Sequence, residues 1–306
     1  MYLKSAYSDA IAQEASLPGW VQEYRQVSPG RFDGSVSALL YPGLSILRER
    51  INVSTEQLFS APPNSLVFYY YYDSQAGPGQ FVWGGDNSSP AGFAFDWHDR
   101  VGIMGVDSDL LMVVIDHDES FDQVTRQSGC CRGTSAEQAE FIAQWLLAVL
   151  HTLGDASYAD DTRRQLNAVL PDLIRDRLTL LLQQSELVQV PEVVNAEAIY
   201  RKARDWIHDA PAEFPTVSAV SRALGLAPSV LRRACAQYTG TSFEHFLILL
   251  RLNGARRELI AARGRKRRVC DIAMDWGFMH WSRFAARYRE LFGETPSETL
   301  SHGGRR

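Results

Sequence analysis

The chain has 306 residues, 45% hydrophobic and 22% charged, with a net charge of −5. That balance excludes a disordered tail or a membrane-embedded polymer and supplies apolar material for two folded cores. The charge is unevenly placed: residues 197–306 carry 19 Lys+Arg against 11 Asp+Glu, a balance of +8, whereas the first 196 carry 12 against 25, a balance of −13. A basic end joined to an acidic half points to a nucleic-acid-binding segment attached to something else.

Residues 1–28 have weak periodicity, with turns at Pro18-Gly19 and Pro29-Gly30. Residues 1–17 lack a basic stretch followed by an apolar run, so no secretory signal is expected. From 31 to 118 the texture is short apolar runs: 35–40, 44–53, 65–72, 80–83, 92–97 and 110–115. Breakers such as Pro42-Gly43, Pro62-Pro63-Asn64, Gly77-Pro78-Gly79 and Gly84-Gly85-Asp86 separate them. Many short strands at regular spacing predict a sandwich or small barrel.

The texture turns helical at Thr134. Phe141, Trp145, Leu146 and Val149 recur at helical spacing. The apolar run 141–153 is too short to span a bilayer, so no membrane association is expected. A second helical region covers 160–184 and is expected to restart or kink at Pro171. Leu173, Leu180 and Leu181 form a stripe that suits packing on the β-rich part or a homodimer seam. Residues 185–195 read as a linker, giving domains 1–190 and 191–306. The four cysteines, Cys130, Cys131, Cys235 and Cys270, show neither zinc spacing nor a disulfide framework, as expected of a reduced cytoplasmic protein.

From 196 onward everything reads as helix, with one internal echo. Val220-Ser221-Arg222-Ala223-Leu224-Gly225-Leu226 parallels Ile272-Ala273-Met274-Asp275-Trp276-Gly277-Phe278 at an offset of 52 residues. A small residue four positions before glycine lets a second helix pack closely across the first, and glycine takes the turn at low cost. Apolar pairs four apart follow, Leu231 with Cys235 and Phe284 with Tyr288, seating the second helix on the core. Its other face then holds Ser229, Arg232, Arg233 and Gln237 in the first unit, and His280, Trp281, Ser282, Arg283 and Arg287 in the second. Arginine can bond guanine bidentately, and neutral polar groups can read base edges or hold phosphate. An amphipathic helix over 243–262, on the order of 30 Å long, would space the units about one turn of B-DNA apart, roughly 34 Å. The run 263–268, with Arg265, Lys266 and Arg267, reads as a phosphate clamp.

At these residues the sequence resembles the AraC/XylS family of transcription regulators. Ala223-Leu224-Gly225, Arg251-Leu252-x-x-Ala255, Ile272-Ala273, Gly277-Phe278, Ser282-x-Phe284 and Phe292-Gly293-x-x-Pro296-Ser297 carry the resemblance over 196–300, and the last block is highly specific. The stretch 275–300 is also similar to the ethanolamine-operon regulator branch. The resemblance implies two helix-turn-helix units on one half-site of double-stranded DNA, contact with RNA polymerase in an activator, and sensing by the other domain. Ala227 stands where the first recognition helix of the family has a capping serine, and Met279 at the corresponding second position. Both caps are therefore expected to be weaker. Cys235 fills a usual phenylalanine position, which predicts a looser first core.

The predicted architecture is α+β in two domains: an N-terminal β-rich domain with helices, similar to cupin-like sensory domains, and a C-terminal all-α double helix-turn-helix domain. The run 68–72 alternates aromatic side chains across a strand, so one face could line a pocket for an amine or flat ligand; ordinary core packing is the alternative. Asp116-His117-Asp118 and Asp96-Trp97-His98-Asp99 contain metal-capable groups, but no His-x-His occurs. No metal, cofactor or catalytic residue is therefore expected. The leading expectation is a regulator controlled by a small-molecule effector bound in the N-terminal domain. A cupin-type enzyme with a DNA-targeting tail and a constitutive regulator whose N-terminal half only dimerises remain as alternatives.

Overall fold

The computed structural model describes residues 1–72, 91–95, 97–116, 131–154, 160–187, 193–209 and 215–301. The strand expected at 80–83 and the groups Asp96, His117, Asp118 and Cys130 lie outside them.

Two sheets form a sandwich. The larger contains β1 (Tyr2–Tyr7), β3 (Gly34–Tyr41), β4 (Leu44–Ile51), β9 (Ser108–Asp116), β6 (Ser65–Tyr71), β7 (Ala91–Phe95), β10 (Cys131–Gly133) and β11 (Glu186–Leu187), neighbours in that order. The smaller runs β2 (Val21–Gln26), β5 (Thr55–Ser60), β8 (Arg100–Met104). Pro42-Gly43 closes the β3–β4 hairpin, with Tyr41 opposite Leu44 and Gly43 at φ 68°. The runs at 35–40, 44–53, 65–72, 92–97 and 110–115 are strands with shifted ends, whereas β1, β2, β5 and β8 have little apolar pattern to announce them.

Alternation along β6 explains how the layers stack. Leu66, Phe68 and Tyr70 join the core beneath two helices, α2 (Ala136–Gly154) and α3 (Asp160–Gln183); Val67, Tyr69 and Tyr71 join the core between the sheets. Phe68 meets Phe93 at 5.2 Å, Tyr69 stacks on Trp97 at 5.5 Å, and Tyr71 donates to Met104 Sδ at 3.3 Å. Both faces of the aromatic run are thus core, and the ordinary packing alternative describes it.

The helix faces differ in detail from what the spacing predicts. In α2, Ile142, Leu146 and Val149 are buried while Phe141 is 74% exposed. Helix α3 continues through Pro171, and Leu181 faces inward with Ile174 and Leu178 while Leu173 and Leu180 face out. The remaining helices are α1 (Ala10–Gln13), α4 (Val193–Asp209), α5 (Val217–Leu224), α6 (Pro228–Thr239), α7 (Phe243–Ala261), α8 (Val269–Asp275), α9 (Trp281–Phe292) and α10 (Pro296–Ser301). No helix among the described residues is long and apolar enough to cross a membrane.

Helices α4 to α10 build two cores. One gathers Tyr200, Leu231, Cys235, Tyr238, Phe243 and Phe246, and it also takes in Val101 and Ile103 from β8. The other gathers Leu252, Leu259, Ile272, Phe284, Tyr288 and Phe292. The small sheet therefore docks directly against the helical end.

Candidate nucleic-acid interface

The two helix-turn-helix units are built alike. In the first, Thr216 caps α5 by accepting from the Ala219 N–H at 3.2 Å. Gly225 then takes φ 65°, and the Leu226 N–H returns to the Ser221 carbonyl at 2.9 Å. In the second, Gly277 takes φ 74° and the Phe278 N–H returns to the Ala273 carbonyl at 2.9 Å. Positive φ is the conformation glycine adopts without a Cβ penalty. Ser221 and Ala273 are both buried at the helix crossing. The 52-residue echo is thus a repeat of backbone geometry as well as of letters.

Leu231, Ala234, Cys235 and Tyr238 turn α6 inward, and Phe284, Tyr288, Leu291 and Phe292 do so for α9. The opposite faces are left in solvent. Ser229, Arg232, Arg233 and Gln237 are exposed, as are His280, Trp281, Ser282, Arg283 and Arg287. Arg232 gives its Nε to Glu244 at 2.7 Å, a solvent-exposed pair that is cheap to break. Met279, 80% exposed, extends the second surface with an apolar side chain beside Trp281.

Neither recognition helix has a side-chain cap at its start. Ala227 is the first N-cap, with Pro228 at the first helical position. The second N-cap is His280, one residue past Met279. Ala227→Ser should stabilise the chain by about 0.5–2 kcal/mol by giving the uncapped N–H groups of α6 an acceptor; urea unfolding would measure it. Cys235 is fully buried in the first core and burial pushes its thiol up to about 12; in the same core Tyr200 packs on Tyr238 at 4.8 Å and Phe246 at 5.2 Å.

Between the units α7 spans 19 residues, roughly 28 Å at 1.5 Å each. Ser242 caps it by accepting from the His245 N–H. The basic run that follows is divided. All of 265–268 are exposed, but Arg267 is paired with Glu258 and Asp275, and Arg268 with Asp271. These exposed pairs neutralise part of the run's charge and, like that of Arg232, are weak. The block 292–297 closes the domain: Gly293 ends α9 at φ 68°, Thr295 and Glu298 exchange bonds as a capping box, and Pro296 starts α10.

The sandwich grips this pair of units through residues that no motif announces. Glu56, on β5, is 1% exposed and bonded to Arg25, Arg204 and the Tyr200 hydroxyl. Burial pushes its carboxyl up, but Arg25 and Arg204 outweigh that and hold it below the usual range. Tyr238 of α6 donates to the Val101 carbonyl at 2.6 Å. The Asn253 side chain pairs with both the N–H and the carbonyl of Gln26, each at 2.9 Å, and so completes the edge of β2. Gln26 Nε2 donates to the Leu291 carbonyl on α9, and Arg256 bonds Asp9 and Glu294. The first unit, the spacer helix and the second unit each touch the sandwich.

Comparison with known proteins agrees with this geometry. Residues 220–302 match the model of a helix-turn-helix domain family. The "Probable thc operon regulatory protein" of Rhodococcus erythropolis is 37% identical over 103 residues, covering 33% of this chain and 31% of that protein. The "XylDLEGF operon transcriptional activator 2" of Pseudomonas putida is 36% identical over 76 residues, covering 25% of this chain and 48% of the relative. The matches thus span less than half the length of these curated relatives. A solved structure of a probable AraC family transcriptional regulator from Rhodopseudomonas palustris is 27% identical, covers 34% of this chain and 94% of its own, and superposes with a TM-score of 0.32. Residues 220–302 are thus a helix-turn-helix domain, and over this part the chain is similar to curated operon regulators and activators.

Proposed function

We propose that the chain is a sequence-specific transcription regulator that binds double-stranded DNA through both helix-turn-helix units and is controlled by a small molecule through its N-terminal domain. The carrying observation is the duplicated turn with two polar, basic helix faces left in solvent. Arg232, Arg233, Arg283 and Arg287 suit base edges or phosphate; Ser229, Gln237, His280 and Ser282 suit either; Trp281 suits a thymine methyl group. Arg265 and Lys266 suit the backbone, and Arg267 joins them only by leaving its carboxylate partners. The named activators among the relatives support activation, with RNA polymerase as partner, in the cytoplasm. The sandwich under two helices supports a cupin-like sensory domain, and the outward Leu173 and Leu180 support a homodimer.

The roles of single residues separate in a binding experiment. Against an operator selected from random duplexes, Arg283→Ala should lose about 1–3 kcal/mol, with little change on random DNA. Neutralising Arg265 and Lys266 together should weaken both DNAs alike and flatten the log K against log salt slope by about 0.9 for each phosphate no longer neutralised. Equal losses on selected and random DNA for Arg283→Ala would sink the readout assignment.

A further inference from the structure

The helical end leaves few large apolar side chains in water. Among its described residues they are Met274, Met279 and Trp281, which are 63%, 80% and 46% exposed, and all three belong to the second unit. Met279 and Trp281 flank His280, the N-cap of α9. Single exposed apolar residues are ordinary on a protein surface, but two at the start of one recognition helix make a local apolar tip. The first unit has no counterpart, since α6 starts with Ala227, Pro228 and Ser229.

The two side chains are presented differently. Trp281 leans on the core: its ring lies 5.9 Å from that of Phe284, which is fully buried and packs in turn on Phe278 and Tyr288. The indole is therefore braced before any partner arrives, and contact costs it little rotamer freedom. Met279 reaches further into solvent, and its unbranched thioether adapts to an irregular surface. Residues at the start of a recognition helix are the ones that meet base edges in the major groove. Those edges carry donors and acceptors and one apolar substituent, the C5 methyl group of thymine. An apolar tip that strips water from a donor or acceptor without replacing its bonds loses affinity. Against a methyl group the same tip gains the transfer energy of the surface it buries.

We propose that Met279 and Trp281 together recognise the C5 methyl group of pyrimidines, so that the second unit selects thymine by its methyl group. The first unit, with no large apolar side chain at its tip, relies on hydrogen bonds from Ser229, Arg232, Arg233 and Gln237. The inference rests on the regulator reading and deepens it: Met279 joins the reading surface, and the chemical group that it and Trp281 recognise is named. Cytosine carries that group only when methylated at C5, so 5-methylcytosine should be accepted where cytosine is rejected.

The test alters the DNA and leaves the protein intact. An operator is selected from random duplexes with the full chain, and each of its thymines is replaced in turn by deoxyuridine, which keeps base pairing and removes only the methyl group. Affinity is read by fluorescence anisotropy. One block of contact should hold one or two thymines whose replacement weakens wild-type binding about three- to tenfold, while replacements in the other block stay within about twofold. At a sensitive position a 5-methylcytosine·guanine pair should bind more tightly than cytosine·guanine. Met279→Ala and Trp281→Ala should each bring the ratio of thymine to deoxyuridine affinity there towards one, which a general loss of binding does not do. If Trp281→Ala does not fold, Met279→Ala decides the matter, since that side chain is 80% exposed. An operator without a methyl-sensitive thymine, equal sensitivity in both blocks, or an unchanged ratio in Met279→Ala overturns the proposal while the regulator reading stands. A pool in which no sequence is enriched overturns the regulator reading itself and this inference with it.

Discussion

Glu56→Ala should cost about 3–5 kcal/mol of stability, read as a lowered urea midpoint, because it leaves the buried Arg204 guanidinium without its carboxylate and Arg25 with Glu23 alone. Arg204 is 4% exposed and Arg25 12% by side chain, so water cannot replace the missing charge. The Tyr200 hydroxyl, held by the same carboxylate, is deprived of its acceptor too. The same group sets an acid limit. Its carboxyl is held below the usual range in the folded chain by Arg25 and Arg204, against the upward push of burial. A depressed carboxyl contributes stability that is fully present above the unfolded-chain value of about 4.3 and is lost as pH falls through the lower folded value. Wild type should therefore lose stability below about pH 4 more steeply than Glu56→Ala. A loss under about 1 kcal/mol in the variant would mean that Glu56 behaves as a surface ion pair and that the sandwich is only loosely docked.

The second large effect lies one residue from a proposed DNA-reading side chain. Phe284 is fully buried, 4.8 Å from the Phe278 ring, 5.9 Å from Trp281 and 5.6 Å from Tyr288. Phe284→Ala should cost about 3–5 kcal/mol through the forfeited transfer energy and the cavity left behind. It should also abolish DNA binding on any sequence, since the second recognition helix loses its seat. Arg283→Ala, on the outer face of the same helix, should leave stability within about 0.5 kcal/mol and change only which DNA is bound. Thermal unfolding of both variants checks the contrast. Comparable destabilisation by the two would contradict the assignment of inner and outer faces.

The recognition helices are legible in the sequence because their information is local. A glycine with a small residue four positions earlier, and apolar residues four apart, specify turn and buried face within about twenty residues of chain. The docking of the halves is not legible, because its determinants are single residues far apart in sequence. Glu56 sits in Thr55–Ser60, a strand whose polar letters suggest exposure, and its partners Tyr200 and Arg204 lie 144 and 148 residues further on. Asn253 likewise reads as one polar residue on a spacer helix until Gln26, 227 residues away, supplies a strand edge for it to complete. Helix α2 shows a subtler limit: Phe141 and Ile142 are adjacent apolar letters, and the fold buries the smaller one. The basic run reads as broader than it is for the same reason, since Asp275 and Glu258 neutralise Arg267 only once α8 folds back on α7.

The claim that both units read one stretch of duplex is tested most directly by selecting bound fragments from random DNA and mapping base contacts on the selected sequence by methylation interference. Two blocks of major-groove contact about one helical turn apart, roughly 10 base pairs, are expected, with Arg283→Ala erasing the discrimination of one block and Arg233→Ala that of the other. A single block of contact, or no enrichment over the starting pool, would contradict it.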